Sequence, residues 1–500
     1  MGFPSCIRTA RWPYRPIALL PDCPIRVPPS GPMDLNGAEW RAMRREAWQE
    51  LLDRCLDFLQ GWRQRWPAFE PDPTVDVPVE RLAEVLDALF RRLSDTYPFF
   101  HPLYAGQMLK PPHPVAILAY FTALHMNPNN HALDGGPATS YLEKEAVAEL
   151  AAMLGWTTHL GHLTGGGTVA NLEALWVARE VHPDRWIAFS EHAHYTHRRA
   201  CELLRVPYVV VAVDERGRMD LNHLEDLLRR HPIGTVVATV GTTGLGAIDP
   251  VHEIWTLQSR YGFRIHVDAA YGGFFSLLAQ RTPPEVEPAP FQALPLCDSI
   301  VVDPHKHGLQ PYGCGSVLFR DPSVGRFYKH DSPYTYFTSP ELHLGEISLE
   351  CSRPGAAAAA LWATLRCFPL RPYEGLGPVL SRCRTAALEA YRWLQTSGAF
   401  QPVLAPELDI VAFFPADDPR ASRVSAATER IFEMALRDAT SPIYLSKLRL
   451  TAAWLKRRFP DLVIDQPEVT VLRSVLMKPE HATAVPASWA RLQTASWKGE

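Results

Sequence analysis

Short uncharged runs rich in β-branched residues, alternating with helix-length stretches, restrict this chain more than any other feature. From residue 142 the pattern predicts a helix over 142–154, a glycine run at 165–168 opening a helix that continues to about 180, a strand over 186–189 and a helix over 197–204. Strand 208–213, helix 221–229, strand 235–239, helix 250–261 and strands 264–267 and 299–302 follow. Runs such as Val209-Val210-Val211 have no polar face, so both sides of the sheet must be covered. That predicts an α/β fold, a mainly parallel sheet between two helical layers. Past residue 361 the rhythm changes. A helix over 386–394, a strand over 408–414, a helix over 428–437, a segment near 444–450 and a strand over 469–477 predict a small α+β domain on an antiparallel sheet.

Two amphipathic helices precede this body. Over 38–65, Trp40, Met43, Ala47, Leu51, Leu52, Cys55, Leu56 and Leu59 recur at three- and four-residue steps, and a second helix spans 79–93. Such helices either pack on a partner subunit or cover their own domain, and the pattern leaves both open. Ahead of them, prolines from Pro4 to Pro32 prevent regular helix. The expected plan is a proline-rich arm (1–36), an N-terminal helical segment (37–105), a large domain (106–370), a small carboxyl-terminal domain (371–485) and a tail (486–500).

Charge and composition exclude several classes of function. Lys and Arg total 50 against 54 Asp and Glu, a net charge of -4, which provides no basic field for nucleic acid. No uncharged apolar run approaches the ~20 residues of a membrane helix. The stretch Ile17-Ala18-Leu19-Leu20, ended by Pro21, is too short for the core of a signal peptide, and Cys6 stands where an N-myristoylation motif needs Ser or Thr. The expected location is the cytoplasm. The nine cysteines show neither CxxC nor metal-ligand spacing, so neither a disulfide framework nor a metal site is expected.

Chemistry-bearing residues gather at three segment ends. Lys306, between His305 and His307, stands just past the apolar run 300–302, which Pro304 stops. Such a lysine is a surface or anion-pairing side chain, or a functional amine. Thr164-Gly165-Gly166-Gly167-Thr168 opens a helix, as an anion cradle does, although a plain glycine turn reads the same way. Asp268 ends a strand beside Ala269 and Ala270, where it suits a metal, a ribose, a protonated ring nitrogen or a helix cap. A cradled phosphate, a carboxylate for a ring nitrogen and a lysine for an aldehyde are the three fixtures that pyridoxal phosphate needs.

Five strings carry a resemblance: Thr164 to Leu175, Ser190 to Thr196, Val240-Gly241-Thr242-Thr243, His266 to Tyr271, and Asp303-Pro304-His305-Lys306. In order and spacing the chain resembles, from about residue 101 to 353 and more loosely to 479, the group II pyridoxal-phosphate amino-acid decarboxylases of fold type I. The resemblance implies that 106–370 is the cofactor domain, with Lys306 carrying the cofactor as a Schiff base and Asp268 facing the pyridinium nitrogen. His194 would stack on the ring, with His192 the competing choice and His197 a third. Gly167 and Thr168 would receive the phosphate, Asn171 and His305 would add contacts, Ala270 would close the other face, and Thr242 or Thr243 would lie near Asp268. A tyrosine on the loop 328–337, Tyr334 before Tyr336, would return a proton to Cα. The family further implies a homodimer with a shared active site, embraced by the 37–105 segment, with Arg353 near that site.

The chain departs from the pattern at Pro137-Ala138-Thr139-Ser140-Tyr141-Leu142-Glu143, where Tyr141 replaces the usual glutamate of a substrate-side loop. With Phe99, Phe100 and Tyr104 it favours an aromatic substrate resembling tyrosine, DOPA or tryptophan. The alternatives are an acidic-amino-acid decarboxylase, a carbon–carbon lyase of the sphingosine-phosphate lyase type, which shares the Ser352-Arg353-Pro354-Gly355 string, an aminotransferase and a decarboxylation-coupled aldehyde synthase. A cofactor-binding scaffold without turnover is disfavoured because Lys306, Asp268 and His194 are all present. His307 reads as local packing.

Overall fold

The computed structural model describes residues 45–329, 341–438 and 441–494. They divide into two compact units: 45–47 with 67–97, and 48–66 with everything from 98 onward. Helix α1 spans Arg45–Arg63. Helix α2, Val79–Leu93, has the span the pattern predicts, and it exposes Leu82, Val85, Leu86, Leu89, Phe90 and Leu93.

The core of the second unit is a seven-stranded sheet in the order β1-β7-β6-β5-β4-β2-β3. Its strands are β1 (Leu160–Thr164), β2 (Trp186–Ser190), β3 (Tyr208–Val211), β4 (Ile233–Thr239), β5 (Arg264–Asp268), β6 (Ser299–Val302) and β7 (Gly315–Phe319). Only β7 runs antiparallel to its neighbours. Eight helices and two short turns of helix complete the unit's larger part. They are α3 (Pro114–Leu124), α4 (Pro137–Met153), α5 (Gly167–Val181), α6 (Thr196–Leu204), α7 (Leu221–Arg230), α8 (Val251–Tyr261), α9 (Ser276–Ala279), α10 (Pro288–Gln292), α11 (Gly355–Cys367) and α12 (Leu376–Ser397).

Side chains alternate between two cores, as the pleat requires. Ile300 and Val302 of β6 join the larger core with residues of α4, α7, α8 and α11, whereas Val301 points to the α5 side. On β4, Val236 and Ala238 enter the larger core and Val237 packs with Ala200 and Cys201 of α6. Apolar residues at every position are therefore what a doubly covered sheet demands, and the three-layer expectation is met.

A second, antiparallel sheet follows in the order β10-β11-β9-β8. It comprises β8 (Phe400–Pro402), β9 (Ile410–Pro415), β10 (Ser446–Thr451) and β11 (Glu468–Val475), with α13 (Ala421–Arg437), α14 (Ala452–Arg458) and α15 (His481–Thr494). Val411 and Phe413 of β9 pack with α12, α13 and α15, while Ala412 and Phe414 pack with Trp454 and Leu455 of α14. No helix among the described residues is long and apolar enough to cross a membrane.

Three departures from the sequence pattern have physical reasons. Helix α4 starts at Pro137 instead of 142, because proline at the first helical position needs no N–H partner. Strand β3 stops at Val211, since Val213 bridges Met219 across a turn. Strands β1 and β7 went unread, being five residues each and interrupted by Gly161, His162 and Ser316.

Candidate active site

Four parallel strands deliver their carboxyl ends to one place. The exits of β2, β4, β5 and β6, with the turn between β1 and α5, enclose a cavity of ≈ 360 Å³. Ligand sites of open α/β sheets lie at such strand ends. Gly165, Gly166, Gly167, Thr168, Asn171, His194, Asp268, Ala270, His305 and Lys306 line it, joined by Thr239, Thr243, Tyr271, Asp303 and Tyr312.

Lys306 enters the cavity on a turn closed by its own N–H to the Asp303 carbonyl, 2.9 Å. Its Nζ lies 3.0 Å from Asp303 Oδ2. Asp303 is buried and its Oδ1 has no partner among the described residues. His305 donates from Nδ1 to the Cys314 carbonyl at 2.9 Å, which fixes its ring, and its ring centroid lies 4.8 Å from that of Tyr312. Burial holds the His305 imidazole below its ordinary pKa.

Asp268 ends β5 beside the cavity. Burial would raise its pKa, but the hydrogen bond and charge of His197, helped by Lys306 and His266, hold it below the usual carboxylate range. His197 Nε2 donates to Oδ2, and the Ala270 N–H to Oδ1 at 3.2 Å. The carboxylate is thus ionised and directed at the cavity.

The three candidate histidines separate. His194 borders the cavity, accepting from the Thr196 N–H on Nδ1 at 3.3 Å, with burial, Lys306 and His197 lowering its pKa. His192 lies elsewhere, its ring 5.4 Å from Trp454 and close to Gly217. His197 is committed to Asp268. Of the two threonines, Thr243 lines the cavity, whereas Thr242 is buried off it and accepts from the Ala247 N–H to close a turn.

The glycine turn is tight for stated reasons. Gly166 has φ +147, a backbone shape that L side chains rarely adopt, and a Cβ on Gly167 would come within 2.6 Å of Asp303 Oδ2. Gly315 of β7 passes so close that its own Cβ would meet Gly166 Cα at 2.6 Å. Helix α5 has no side-chain cap at its start, unlike α7, where Asp220 accepts from Asn222 and His223, so its first N–H groups remain for an anion. Glu350 accepts from the Gly165 N–H at 2.9 Å. Asn171 borders the cavity with both ends of its amide engaged: Nδ2 donates to the Gly167 carbonyl and Oδ1 accepts from His266 Nε2, each at 2.8 Å.

Arg353 is buried away from the cavity lining, with Nη1 2.5 Å from Glu143 Oε1 and 2.8 Å from the Leu163 carbonyl. Tyr334 and Tyr336 lie outside the described residues. Among those described, no three His, Cys, Asp or Glu side chains are placed to hold a metal ion. Asp303 and Tyr312 were not singled out as site residues from the sequence. Asp303 sits within the quoted lysine motif, a signal that could have found it, while Tyr312 has no local pattern.

The donor set suits pyridoxal phosphate. A primary amine, an ionised buried carboxylate and an uncapped glycine-led helix border one cavity, and Asp303 Oδ1 and Thr239 Oγ1, buried on its wall, lack partners among the described residues.

Known proteins agree with this fit. Residues 98–414 match the model of the pyridoxal-dependent decarboxylase conserved domain. An L-tyrosine decarboxylase of Enterococcus faecium is 29% identical over 454 residues, covering 69% of this chain and 74% of its own. A probable L-tyrosine/L-aspartate decarboxylase of Methanothermobacter thermautotrophicus is 32% identical over 316 residues, covering 62% and 82%. The crystal structure of mouse CSAD shares the fold, with a TM-score of 0.72 at 19% identity over 90% of this chain and 98% of that one. A domain match over most of the chain, in a fold-type-I architecture whose strand ends present this lysine and this carboxylate, makes the chain a member of the pyridoxal-dependent decarboxylase family, a pyridoxal-phosphate carboxy-lyase of amino acids.

Proposed function

We propose that the protein removes the α-carboxylate of an aromatic L-amino acid as carbon dioxide, leaving the amine, with Lys306 and Asp268 as its two principal groups. The observation that carries the assignment is their approach to one cavity, the lysine amine on one side and a carboxylate kept ionised by His197 on the other. When bound, pyridoxal phosphate supplies an aldehyde for the amino group and a ring that accepts the electron pair left by carbon dioxide.

Lys306 Nζ would hold the cofactor through its aldehyde. Asp268 would face the ring nitrogen and favour its protonated form, because an ionised carboxylate in a low-dielectric site favours a cation beside it. Gly167 and Thr168 would receive the phosphate, His194 and Ala270 would flank the ring, and Asn171 and His305 would complete the walls around it. Thr243 takes the place beside Asp268 that the resemblance left between it and Thr242. Tyr334, or Tyr336 in its stead, returns the proton to Cα.

The aromatic side chain is supported by tyrosine in the relatives' names and by the cavity's charge. Among the described residues lining it, Lys306 is the sole lysine or arginine, so a second substrate carboxylate would have no cation of its own. Aspartate, which stands in the names of five archaeal relatives, is the second reading. The active unit is a homodimer, with α2's apolar face covered by the partner, and it works in the cytoplasm.

A screen of the twenty amino acids for carbon dioxide release with added pyridoxal phosphate tests this. Release and amine formation from tyrosine or tryptophan support it. Release from aspartate or glutamate alone moves the assignment to the second reading. Aldehyde, ammonia and hydrogen peroxide would mark the oxidative branch, and a requirement for a keto acid would mark a transferase.

A further inference from the structure

A cluster of buried polar side chains behind the cavity wall takes no part in the chemistry above. Tyr271, a wall residue, donates from its hydroxyl to Asp409 Oδ1 at 2.5 Å. The other oxygen, Oδ2, lies 3.3 Å from His307 Nε2, a close approach without hydrogen-bond geometry. All three side chains are 2% exposed or less. The His307 ring stands edge-on to both Tyr271 and Phe275, with centroids 4.8 and 5.0 Å away.

The arrangement joins two parts of the chain. Asp409 immediately precedes β9 of the antiparallel sheet, where its carbonyl accepts from the Leu476 N–H at 2.8 Å. Tyr271 lies on the exit of β5, just past Asp268, and His307 directly follows Lys306. One carboxyl at the edge of the small sheet therefore meets residues that follow both Asp268 and Lys306 in the chain. Burial raises the pKa of Asp409 to about 6, against the pull of the Tyr271 hydrogen bond and of Lys110 and Arg384, and Lys110 Nζ and Arg473 Nε and Nη2 are buried without partners among the described residues. A buried carboxyl hydrogen-bonded by a buried phenol is fixed in orientation, which makes it an anchor for the ring that donates to it.

We propose that Asp409 is a positioning residue, through which the small sheet holds Tyr271 and His307 and so sets the spacing between Asp268 and Lys306. The proposal rests on the reading of the cavity as the cofactor site. In this role Asp409 touches neither substrate nor cofactor, and its effect passes through the phenol and imidazole it holds. His307 then belongs to this clamp instead of being inert packing.

The test uses the full-length holoenzyme and the variants Asp409→Asn, Tyr271→Phe and the double variant, read by pyridoxal phosphate affinity, visible circular dichroism of the bound cofactor and thermal unfolding. Tyr271→Phe keeps the ring and removes only the hydroxyl, so it decides the matter if Asp409→Asn does not fold. The expected result is a loss of cofactor affinity of roughly 10-fold or more in each single variant, a changed visible dichroism, and a double variant no worse than the weaker single one. Folded variants with unchanged affinity and dichroism, and only a lower unfolding temperature, would overturn the proposal. Borohydride reduction of the wild-type holoenzyme followed by peptide mass analysis separates the two levels. A wild type with no adduct on Lys306 defeats the cofactor reading itself, whereas an adduct with unaffected variants defeats only the role of Asp409.

Discussion

His197 Nε2 stands 2.9 Å from Asp268 Oδ2, and neither side chain is more than 7% exposed. The pair explains how a carboxylate stays charged inside the protein: burial opposes the charge, and the imidazole donor outweighs it. In His197→Phe the donor is gone and burial prevails, so the carboxyl pKa rises toward the working range. Cofactor affinity is expected to fall roughly 10-fold, and to fall further as pH decreases because the neutral acid enters from the acid side. Spectral titration with pyridoxal phosphate across pH 5 to 8 measures this, and a pH-independent affinity equal to wild type would refute it.

Lys306→Ala removes the only lysine on the described cavity lining. The variant is expected to show no borohydride-stable cofactor and a turnover lower by about 10³-fold or more, with the fold intact. Full turnover in a folded Lys306→Ala protein would reassign the amine.

Tyr334→Phe tests the proton donor. With the phenol gone, cofactor binding is expected to persist while, in air-saturated buffer, product shifts from amine toward aldehyde with dioxygen consumed and ammonia and hydrogen peroxide released, as judged by chromatography of reaction mixtures. Undiminished amine yield would transfer the role to Tyr336 or another group.

The Arg353–Glu143 pair is buried on both sides, and Arg353 also donates to the Leu163 carbonyl. Arg353→Met leaves an uncompensated carboxylate and is expected to cost about 3–5 kcal/mol of stability. Adding Glu143→Leu should recover part of that loss. Denaturant unfolding of the two variants reads both terms, and a single variant as stable as wild type would show the pair to be dispensable.

Acid should destabilise the fold through its buried neutral histidines. Burial lowers His266 and His481 to about 3. A folded-state pKa below the unfolded value means that the stability is fully present above the unfolded pKa of about 6.5 and is lost as pH falls toward the folded value. Thermal unfolding temperature is expected to decline between pH 6.5 and 3, and His266→Gln should flatten part of that decline.

The strands richest in β-branched residues were legible because a doubly covered sheet admits nothing else, and the lysine, aspartate and glycine motifs were legible because each needs particular residue types at a strand or helix end. What stayed hidden depended on distance along the chain. Nothing local to His197 announces that it meets Asp268, and nothing near Asp409 announces Tyr271 or His307. Neighbouring threonines illustrate the same limit: which of Thr242 and Thr243 faces the cavity is set by a turn hydrogen bond to Ala247. The short strands β1 and β7 gain their place from pairing with each other, register by register from Leu160 opposite Phe319 to Thr164 opposite Gly315, and not from any apolar run of their own.

That last pair has a consequence for anyone redesigning the protein. Because Gly315 leaves no room for a side chain against Gly166, the glycine turn is a two-segment object whose second wall is contributed by the sheet's one reversed strand. A library randomising residues 165–168 alone would sample shapes that Gly315 forbids. Altering the preferred cofactor analogue therefore calls for varying the two backbones together.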